Sequence, residues 1–177
     1  MMLTALDLPV PLPTPGGIVT LRRADVADLE ALMRLLADDA VSASRGDRAD
    51  ESDLPAYRAG LVDTLADPSN DLVVAVGPEG AVVAMMQLTR IPGLARRGAT
   101  RLLIEEVRVS SARRSTGIGS AMMRWCTDVA APALGAGLVQ LTSDEARTDA
   151  HRFYERLGFV GSHRGFKYAV GAPGSTR

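Results

Sequence analysis

Apolar residues in the first part of the chain recur with the spacing of a helix. Leu29, Leu32, Leu35 and Leu36 are separated by one, three or four residues, so they fall on one face of an amphipathic helix that begins near Ala24. Acidic side chains in its first turn interact favourably with the partial positive charge of a helix N-terminus. The pattern therefore predicts a helix that buries a leucine-rich face.

Shorter apolar runs, bounded by glycine, proline and polar residues, predict strands. The predicted strands cover residues 18–22, 72–76, 81–88, 102–109, 138–143, 159–162 and 166–170. Further helices are predicted at residues 54–65, at residues 120–131 and around Phe153 and Tyr154. Strands that alternate with helices in this way predict an α/β fold with a mixed sheet.

The length of 177 residues suits a single domain with a sizeable core, and 46% hydrophobic and 23% charged residues are typical of a soluble globular protein. Prolines at alternate positions from Pro9 to Pro15 remove backbone N–H groups, so residues 1–17 are expected to be an extended or disordered lead-in. We therefore expect one domain over residues 18–170, with a flexible tail at residues 171–177.

The charge and the apolar content of the chain argue against some classes of function. A formal net charge of −1 and the lack of a basic patch interleaved with aromatic residues argue against nucleic-acid binding. No apolar run has the length of a membrane span, and the single cysteine, Cys126, cannot form an internal disulfide bond. Lys167 is the only lysine among 20 basic residues, a bias typical of a GC-rich bacterial genome. We expect a cytoplasmic protein with Cys126 in its core.

A loop rich in arginine and glycine joins a predicted strand to a predicted helix. The loop runs from Arg113 to Gly119, and the helix that follows begins with N–H groups that have no intrahelical acceptor. Glycine lets the backbone approach a ligand closely, and the helix dipole favours an anion at this end. The loop therefore predicts a phosphate-binding site.

Two common phosphate loops do not fit. No lysine follows the glycines, which excludes a P-loop, and Met122 is too large for the third glycine position of a dinucleotide-binding loop. The pattern that remains is R-x-x-G-x-G, from Arg114 through Gly117 to Gly119. It resembles the acyl-CoA pyrophosphate loop of the GNAT superfamily of N-acetyltransferases.

Two further motifs strengthen this resemblance. Residues 150–159, AHRFYERLGF, resemble the A-x-x-F-Y-x-x-x-G-F signature near the end of GNAT domains, and residues 104–109, IEEVRV, resemble the family's fourth strand. The resemblance covers roughly residues 18–170 and is best over residues 102–159. It implies a GNAT fold with a mixed six- to seven-stranded sheet and four helices on both faces, and acetyl-CoA as cosubstrate. No Cys or carboxylate cluster at ligand spacing surrounds either histidine, so no metal is expected.

The resemblance also assigns catalytic roles. Glu106 is the expected general base, with Glu105 as runner-up, because successive strand side chains point to opposite faces and only one can address the acceptor. A β-bulge, which the family has at this strand, changes which one it is. Tyr154 of the F-Y pair is the expected acid, since in the family this tyrosine lies beside the CoA sulfur and a phenol stays protonated at pH 7.

Cofactor binding follows mainly from the backbone. The resemblance implies that the main chain of Val107 and Val109 pairs with pantetheine as an added strand, and that the Val107 N–H stabilises the oxyanion. The remaining cofactor-binding residues are expected in the loop and the helix start: Arg113, Arg114, Ser115, Thr116, Gly117, Ile118, Gly119 and Ser120. Many family members bind pantetheine with an asparagine after the fifth strand, whereas this chain has Thr-Ser-Asp at residues 142–144.

The acceptor is less well defined. The segment from residue 148 to residue 170 resembles small-molecule acetyltransferases, including those acting on aminoalkylphosphonates. Arg96 and Arg97 would suit an acidic acceptor, whereas the acidic stretch at residues 38–53 would suit a basic one. We expect a small-molecule amine as the acceptor; a protein or peptide amine, or a non-catalytic acyl-CoA-binding role, are the alternatives. Homodimerisation through the sheet edge or first helices stays open.

Overall fold

The computed structural model describes residues 3–44, 46–168 and 170. They fall into two compact units, divided between Leu141 and Thr142. The first unit contains every described strand and three of the four described helices that are eight or more residues long, and the second contains the fourth. The flexible tail expected at residues 171–177 lies outside the described residues.

A six-stranded mixed sheet forms the centre of the first unit, as the sequence predicted. Its strands follow chain order across the sheet, and every neighbouring pair is antiparallel except the last, β5 with β6, which is parallel. The strands are β1 (Val10–Thr14), β2 (Gly17–Arg23), β3 (Asn70–Val76), β4 (Val82–Ile91), β5 (Thr100–Val109) and β6 (Ala136–Leu141).

The proline-rich segment forms an edge strand. We expected an extended or disordered lead-in, and β1 is extended and paired with β2 in register, with Leu12 opposite Val19. The prolines at positions 11 and 13 alternate with residues that keep their N–H groups, and only one side of an edge strand needs donors. Leu12 is buried while the flanking prolines are exposed, so proline alternation is compatible with strand pairing here.

The two strands predicted near the end of the chain do not form. Residues 159–168 contain no strand, and Ala169 lies outside the described residues. The apolar side chains of this segment are exposed instead, at 83% for Val160 and 91% for Phe166. Apolar and aromatic composition favours a strand only where a neighbouring strand supplies hydrogen bonds and a surface to pack against. The prediction was wrong for the described residues, because their composition favours a strand but no neighbouring strand pairs with them.

The helices of eight or more residues among the described residues are α1 (Leu29–Ala37), α2 (Leu54–Ala66), α3 (Ile118–Trp125) and α4 (Thr148–Arg156). A one-turn 3₁₀ helix precedes α1 and opens with a capping box between Asp25 and Asp28. Arg22 of β2 binds both carboxylate oxygens of Asp28, at 2.7 and 2.8 Å. After Trp125 the helical path continues as a π-helical turn, Cys126–Ala130.

Helices cover both faces of the sheet in the first unit. The side chains of α1 and α2 pack on Leu72, Val74 and Met85. Residues that alternate with these along the strands point to the other face and are fully buried, such as Met86 and Leu88, and α3 contacts the sheet there. Cys126 is completely buried, and burial raises the pKa of its thiol to about 12. It is a core residue, as expected.

Candidate functional site

A β-bulge interrupts β5 at the acidic pair. Met85 of β4 pairs with Arg108 and Gln87 with Glu105, so two residues of β5, Glu106 and Val107, stand opposite one residue of β4. Glu106 has a φ of 50°, in the left-handed region. A bulge of this kind bends the strand and re-aims a side chain, and such bulges are common beside active sites.

Arg108 holds the bulge from within the same strand. Its Nη2 lies 3.0 Å from the Oε2 atom of Glu106 and also donates to the Ser42 hydroxyl at 2.8 Å. Its Nη1 donates to the Val107 carbonyl at 3.0 Å, and its side chain is only 14% exposed. Glu106 is 44% exposed. A buried guanidinium therefore fixes an accessible carboxylate.

Glu106 lines a pocket of about 420 Å³ between α1, α2 and the sheet. Most of the wall is apolar and comes from the core beneath the helices. The apolar lining includes Leu32, Met33, Leu36, Leu61, Leu72 and Met85. Glu105 is exposed and is not among the lining residues. At the bulge, Glu106 thus lines the pocket, whereas Glu105 does not.

The pocket also has polar lining residues. The Tyr57 hydroxyl donates to an Asp47 carboxylate oxygen at 2.8 Å, and burial together with this hydrogen bond raises the pKa of Tyr57. The Gln87 side-chain amide donates to Asn70 at 3.1 Å. The side chains of Tyr57 and Gln87 are therefore held in place by hydrogen bonds to neighbouring residues. No lysine, arginine or histidine is among the described residues that line the pocket.

A larger pocket of about 970 Å³ lies on the outer side of α1 and reaches Ser110 and Ser111. Neither Glu105 nor Glu106 lines it. It is open to solvent, and its volume alone does not indicate a chemical function. Arg96 and Arg97, which we considered as partners for an acidic acceptor, are exposed and line neither pocket.

The arginine and glycine loop leaves β5 and enters α3. Arg113 ends a 3₁₀ turn at Ser111–Arg113, and Gly117, with a φ of 88°, precedes the first residue of α3. The Ala121 N–H donates to the Gly117 carbonyl, and among the described residues no backbone acceptor pairs with the N–H groups from Ser115 to Ser120. Several donors therefore converge at the start of α3, where Ile118, Gly119 and Ser120 form its first turn.

Two contacts hold this loop in place. The turn between β1 and β2 packs on it, since the Gly16 N–H donates to the Thr116 carbonyl at 3.1 Å. A Cβ atom at Gly117 would lie 2.4 Å from Cδ of Pro15. On the other side, the Asp38 carboxylate accepts from the Ser111 N–H, which lowers the pKa of Asp38.

The two loop arginines differ in their contacts. Arg114 donates from Nη2 to the Asp38 carbonyl at 3.0 Å, so its side chain is tied to the end of α1. Arg113 makes no side-chain hydrogen bond or ion pair among the described residues. Of the two, Arg113 is the one whose guanidinium is available to a ligand.

The second half of β5 has one open edge within the first unit. Parallel pairing with β6 extends from Thr100 to Ile104 and stops where β6 ends at Leu141. Val109 therefore pairs with Ala84 of β4 on one side, Val107 lies in the bulge next to β4, and neither has a strand on the other side among the described residues. An extended ligand could add to such an edge through main-chain hydrogen bonds.

In the second unit, Tyr154 lies near the end of α4. Its ring makes edge-to-face contacts with Phe153 and Phe159, with centroids 5.2 and 6.0 Å apart. The Phe159 N–H donates to the Tyr154 carbonyl at 3.1 Å, after the left-handed residue Gly158. The same unit contains Ser143, whose buried hydroxyl has no hydrogen-bond partner among the described residues.

Sequence motifs predicted residues that are contiguous in the chain and missed those that meet only through folding. Asp47 belongs to the acidic stretch that we noted, but nothing marked it as a lining residue. Tyr57 and Gln87 sit in ordinary helix and strand patterns, without a motif. Arg108 lies inside the recognised strand motif, yet its contact with Glu106 depends on the bulge, which spacing alone cannot reveal.

Among the described residues, no helix has the length and apolar character needed to span a membrane. No group of three or more His, Cys, Asp or Glu side chains is arranged to hold a metal ion in the part of the chain that the structure describes.

Comparison with known proteins identifies relatives. The sequence model of the acetyltransferase (GNAT) family matches residues 29–159. The chain is 35% identical over 120 residues to the aminoalkylphosphonate N-acetyltransferase of Salmonella typhimurium (strain LT2), which covers 68% of this chain and 76% of that protein.

Solved structures with a similar fold include proteins with different names. A transcriptional regulator from Bacillus halodurans C-125 is 40% identical, with a TM-score of 0.80, over 86% of this chain and 99% of that one. An acetyltransferase from Trypanosoma brucei is 25% identical, with a TM-score of 0.67, over 86% of this chain and 99% of that one.

Proposed function

Because the chain belongs to the acetyltransferase (GNAT) family and is an N-acetyltransferase, we propose that it transfers the acetyl group of acetyl-CoA to a primary amine of a small molecule. The amine attacks directly while both substrates are bound. The observation that carries this proposal is the position of Glu106, whose carboxylate sits on a bulge and lines a pocket of about 420 Å³. A pocket of this size suits a small acceptor.

Glu106 prepares the amine. At neutral pH most of an alkylamine is ammonium, which has no lone pair for attack. The carboxylate binds the ammonium and takes its proton, directly or through a water molecule. A positioned general base contributes roughly 10²- to 10⁴-fold to the rate. Glu105 remains the second candidate, although it does not line the pocket.

The residues of the first unit suit an acyl-CoA. Acetyl-CoA, when bound, supplies the thioester whose C–S bond breaks as the N–C bond forms. We assign the pantetheine to the open edge of β5 at Val107 and Val109, with the Val107 N–H as the oxyanion donor. The unpaired N–H groups from Ser115 to Ser120 suit a pyrophosphate, which helix N-termini bind well. Arg113 is assigned to the 3′-phosphate.

Two residues of the second unit complete the proposal. Tyr154 is proposed to protonate the departing thiolate, on the strength of the F-Y motif. Ser143 is proposed to replace the asparagine that many family members use for pantetheine. Its hydroxyl is buried with no partner among the described residues, a state that a bound ligand would relieve.

A test of the catalytic assignment compares the two adjacent glutamates. Release of free CoA thiol is followed with acetyl-CoA and a panel of primary amines, for wild type, Glu106→Gln and Glu105→Gln. We expect Glu106→Gln to lower kcat about 10²- to 10⁴-fold and Glu105→Gln to change it less than fivefold. The reverse order would transfer the role to Glu105, and equal small effects would reject a carboxylate base.

The cofactor assignment has a separate test. Calorimetry should show saturable binding of acetyl-CoA to wild type, lost in the double variant Arg114→Ala/Gly117→Glu. Binding without turnover of any amine would favour a non-catalytic acyl-CoA-binding module. Turnover confined to lysine-containing peptides would favour a protein or peptide acceptor.

A further inference from the structure

The pocket beside Glu106 has acidic side chains set in mostly apolar walls. Its ionisable lining groups are the carboxylates of Glu106 and Asp47 and the Tyr57 hydroxyl, and no cationic side chain is among its described lining residues. Burial and the hydrogen bond to Asp47 raise the pKa of Tyr57, so this hydroxyl stays neutral at physiological pH. The charged side chains among the described lining residues are therefore both carboxylates, and Arg108, which does not line the pocket, pairs with one of them, Glu106.

Asp47 has one carboxylate oxygen that a ligand can contact. One of its carboxylate oxygens accepts from Tyr57 at 2.8 Å, and Tyr57 is carried by α2, so the carboxylate is held from the helix. No other side-chain hydrogen bond or ion pair of Asp47 occurs among the described residues. Its second oxygen is thus available to a cation, whereas the carboxylate of Glu106 is already oriented by Arg108.

We propose that the acceptor is a primary amine with an apolar body and a second positive charge, of the class of α,ω-diamines, with Asp47 as the residue that selects the second charge. This rests on the proposed function. Glu106 receives the reacting amine, methylene groups lie against the leucine and methionine walls, and Asp47 binds the distal ammonium. The two carboxylates line the same pocket, so one extended ligand in that pocket can contact both.

The same pattern disfavours an aminoalkylphosphonate, the acceptor class named for the Salmonella relative. A phosphonate carries negative charge, and placing it beside two carboxylates in a largely apolar pocket is unfavourable. The guanidinium next to Glu106, that of Arg108, is already engaged by Glu106, the Val107 carbonyl and the Ser42 hydroxyl. Specificity of this kind comes from repulsion of the wrong ligand as well as attraction of the right one.

The experiment compares three amines of similar length: 1,5-diaminopentane, 5-aminopentan-1-ol and 3-aminopropylphosphonate. We expect kcat/KM to be at least tenfold higher for the diamine than for the amino alcohol, and lowest for the phosphonate. Asp47→Asn keeps an acceptor for Tyr57 but removes the charge. It should bring the diamine to amino-alcohol ratio close to one, because the second ammonium of the diamine then gains no charge partner.

Asp50→Asn is the matched control, since Asp50 is an exposed acid of the same loop that lines no described pocket. It should keep the wild-type ratio. Acetylation that depends on Glu106 but prefers the phosphonate, or a diamine preference that survives Asp47→Asn, would overturn this inference and leave the proposed function intact. Failure to acetylate any amine would overturn the proposed function, and this inference with it.

Discussion

The Arg108 guanidinium lies 3.0 Å from the Glu106 carboxylate, with only Val107 between them on the strand. The same guanidinium donates to a hydroxyl on another segment, that of Ser42. It thus connects the bulge to the short helix Ala40–Ser44 that follows α1. We infer that Arg108 positions Glu106 and does not itself act on the substrate.

We predict that Arg108→Ala lowers kcat/KM about 10- to 100-fold, because misplacing a catalytic group by about 1 Å costs up to ~10²-fold. Arg108→Lys should recover part of the loss. The decisive measurement is a double-mutant cycle with Glu106→Gln. If Arg108 acts through Glu106, adding Arg108→Ala to Glu106→Gln costs little more. Losses that multiply would show an independent role.

Gly117→Ala should weaken acetyl-CoA binding and destabilise the fold. The left-handed φ of 88° strains a side-chain-bearing residue, and its Cβ atom would lie 2.4 Å from Cδ of Pro15. Backbone strain of this kind costs about 1–3 kcal/mol. Denaturant unfolding and calorimetry measure the two effects. Gly161→Ala, where a Cβ atom meets nothing within 4 Å, is the control and should behave as wild type.

Asp28→Asn should destabilise the protein at neutral pH more than in acid. The hydrogen bonds from Arg22 lower the pKa of Asp28 in the folded state. An acid with a lowered folded pKa contributes its full stability above the unfolded pKa, about 3.9, and loses it as the pH falls through the folded pKa. We expect a loss of about 1–3 kcal/mol at pH 7 that shrinks below pH 3.

Urea unfolding at both pH values measures this difference. Glu30→Gln is the matched control, because the Glu30 pair with Arg34 lies on the exposed side of α1, with both side chains more than half exposed. Its effect should stay within about 0.5 kcal/mol at either pH. An equal loss for Asp28→Asn at pH 7 and below pH 3 would contradict the ionic origin of its contribution.

Cys126 should resist alkylation in the native protein. Its thiol is fully buried, and burial raises its pKa to about 12, so almost no thiolate exists at pH 8. Iodoacetamide should modify one equivalent in denaturant and none within hours under native conditions. Rapid native modification would mean that the helical segment around Cys126 opens locally.

Much of the fold was predictable where local pattern and tertiary context agree. The amphipathic helix at Leu29–Ala37 and the β3–β4 hairpin follow directly from apolar spacing. The pattern failed where context decides. Prolines suggested an unpaired segment at β1, but an edge position accommodates them. Aromatic residues after Gly158 suggested strands that do not form among the described residues.

In the candidate site, too, the local motif was predictable from the sequence and the residues that meet only through folding were not. The phosphate loop is a local motif, so consecutive residues identified it. The acceptor pocket is assembled from segments far apart in the chain, such as Asp47 and Gln87, and no periodicity links them. The bulge is intermediate, because the acidic pair was visible in the sequence whereas the register shift that separates Glu105 from Glu106 is a property of the paired strands.

The alternating prolines of β1 also bear on how copies of this protein meet. A neighbouring molecule that tried to extend the sheet past β1 would find no N–H donors at Pro11 and Pro13, so a continuous ladder could not form there. Edge strands are common starting points for aggregation, and proline on the free side is a recognised protection. This chain therefore carries, in the segment that resembled a disordered leader, its own barrier against edge-to-edge polymerisation.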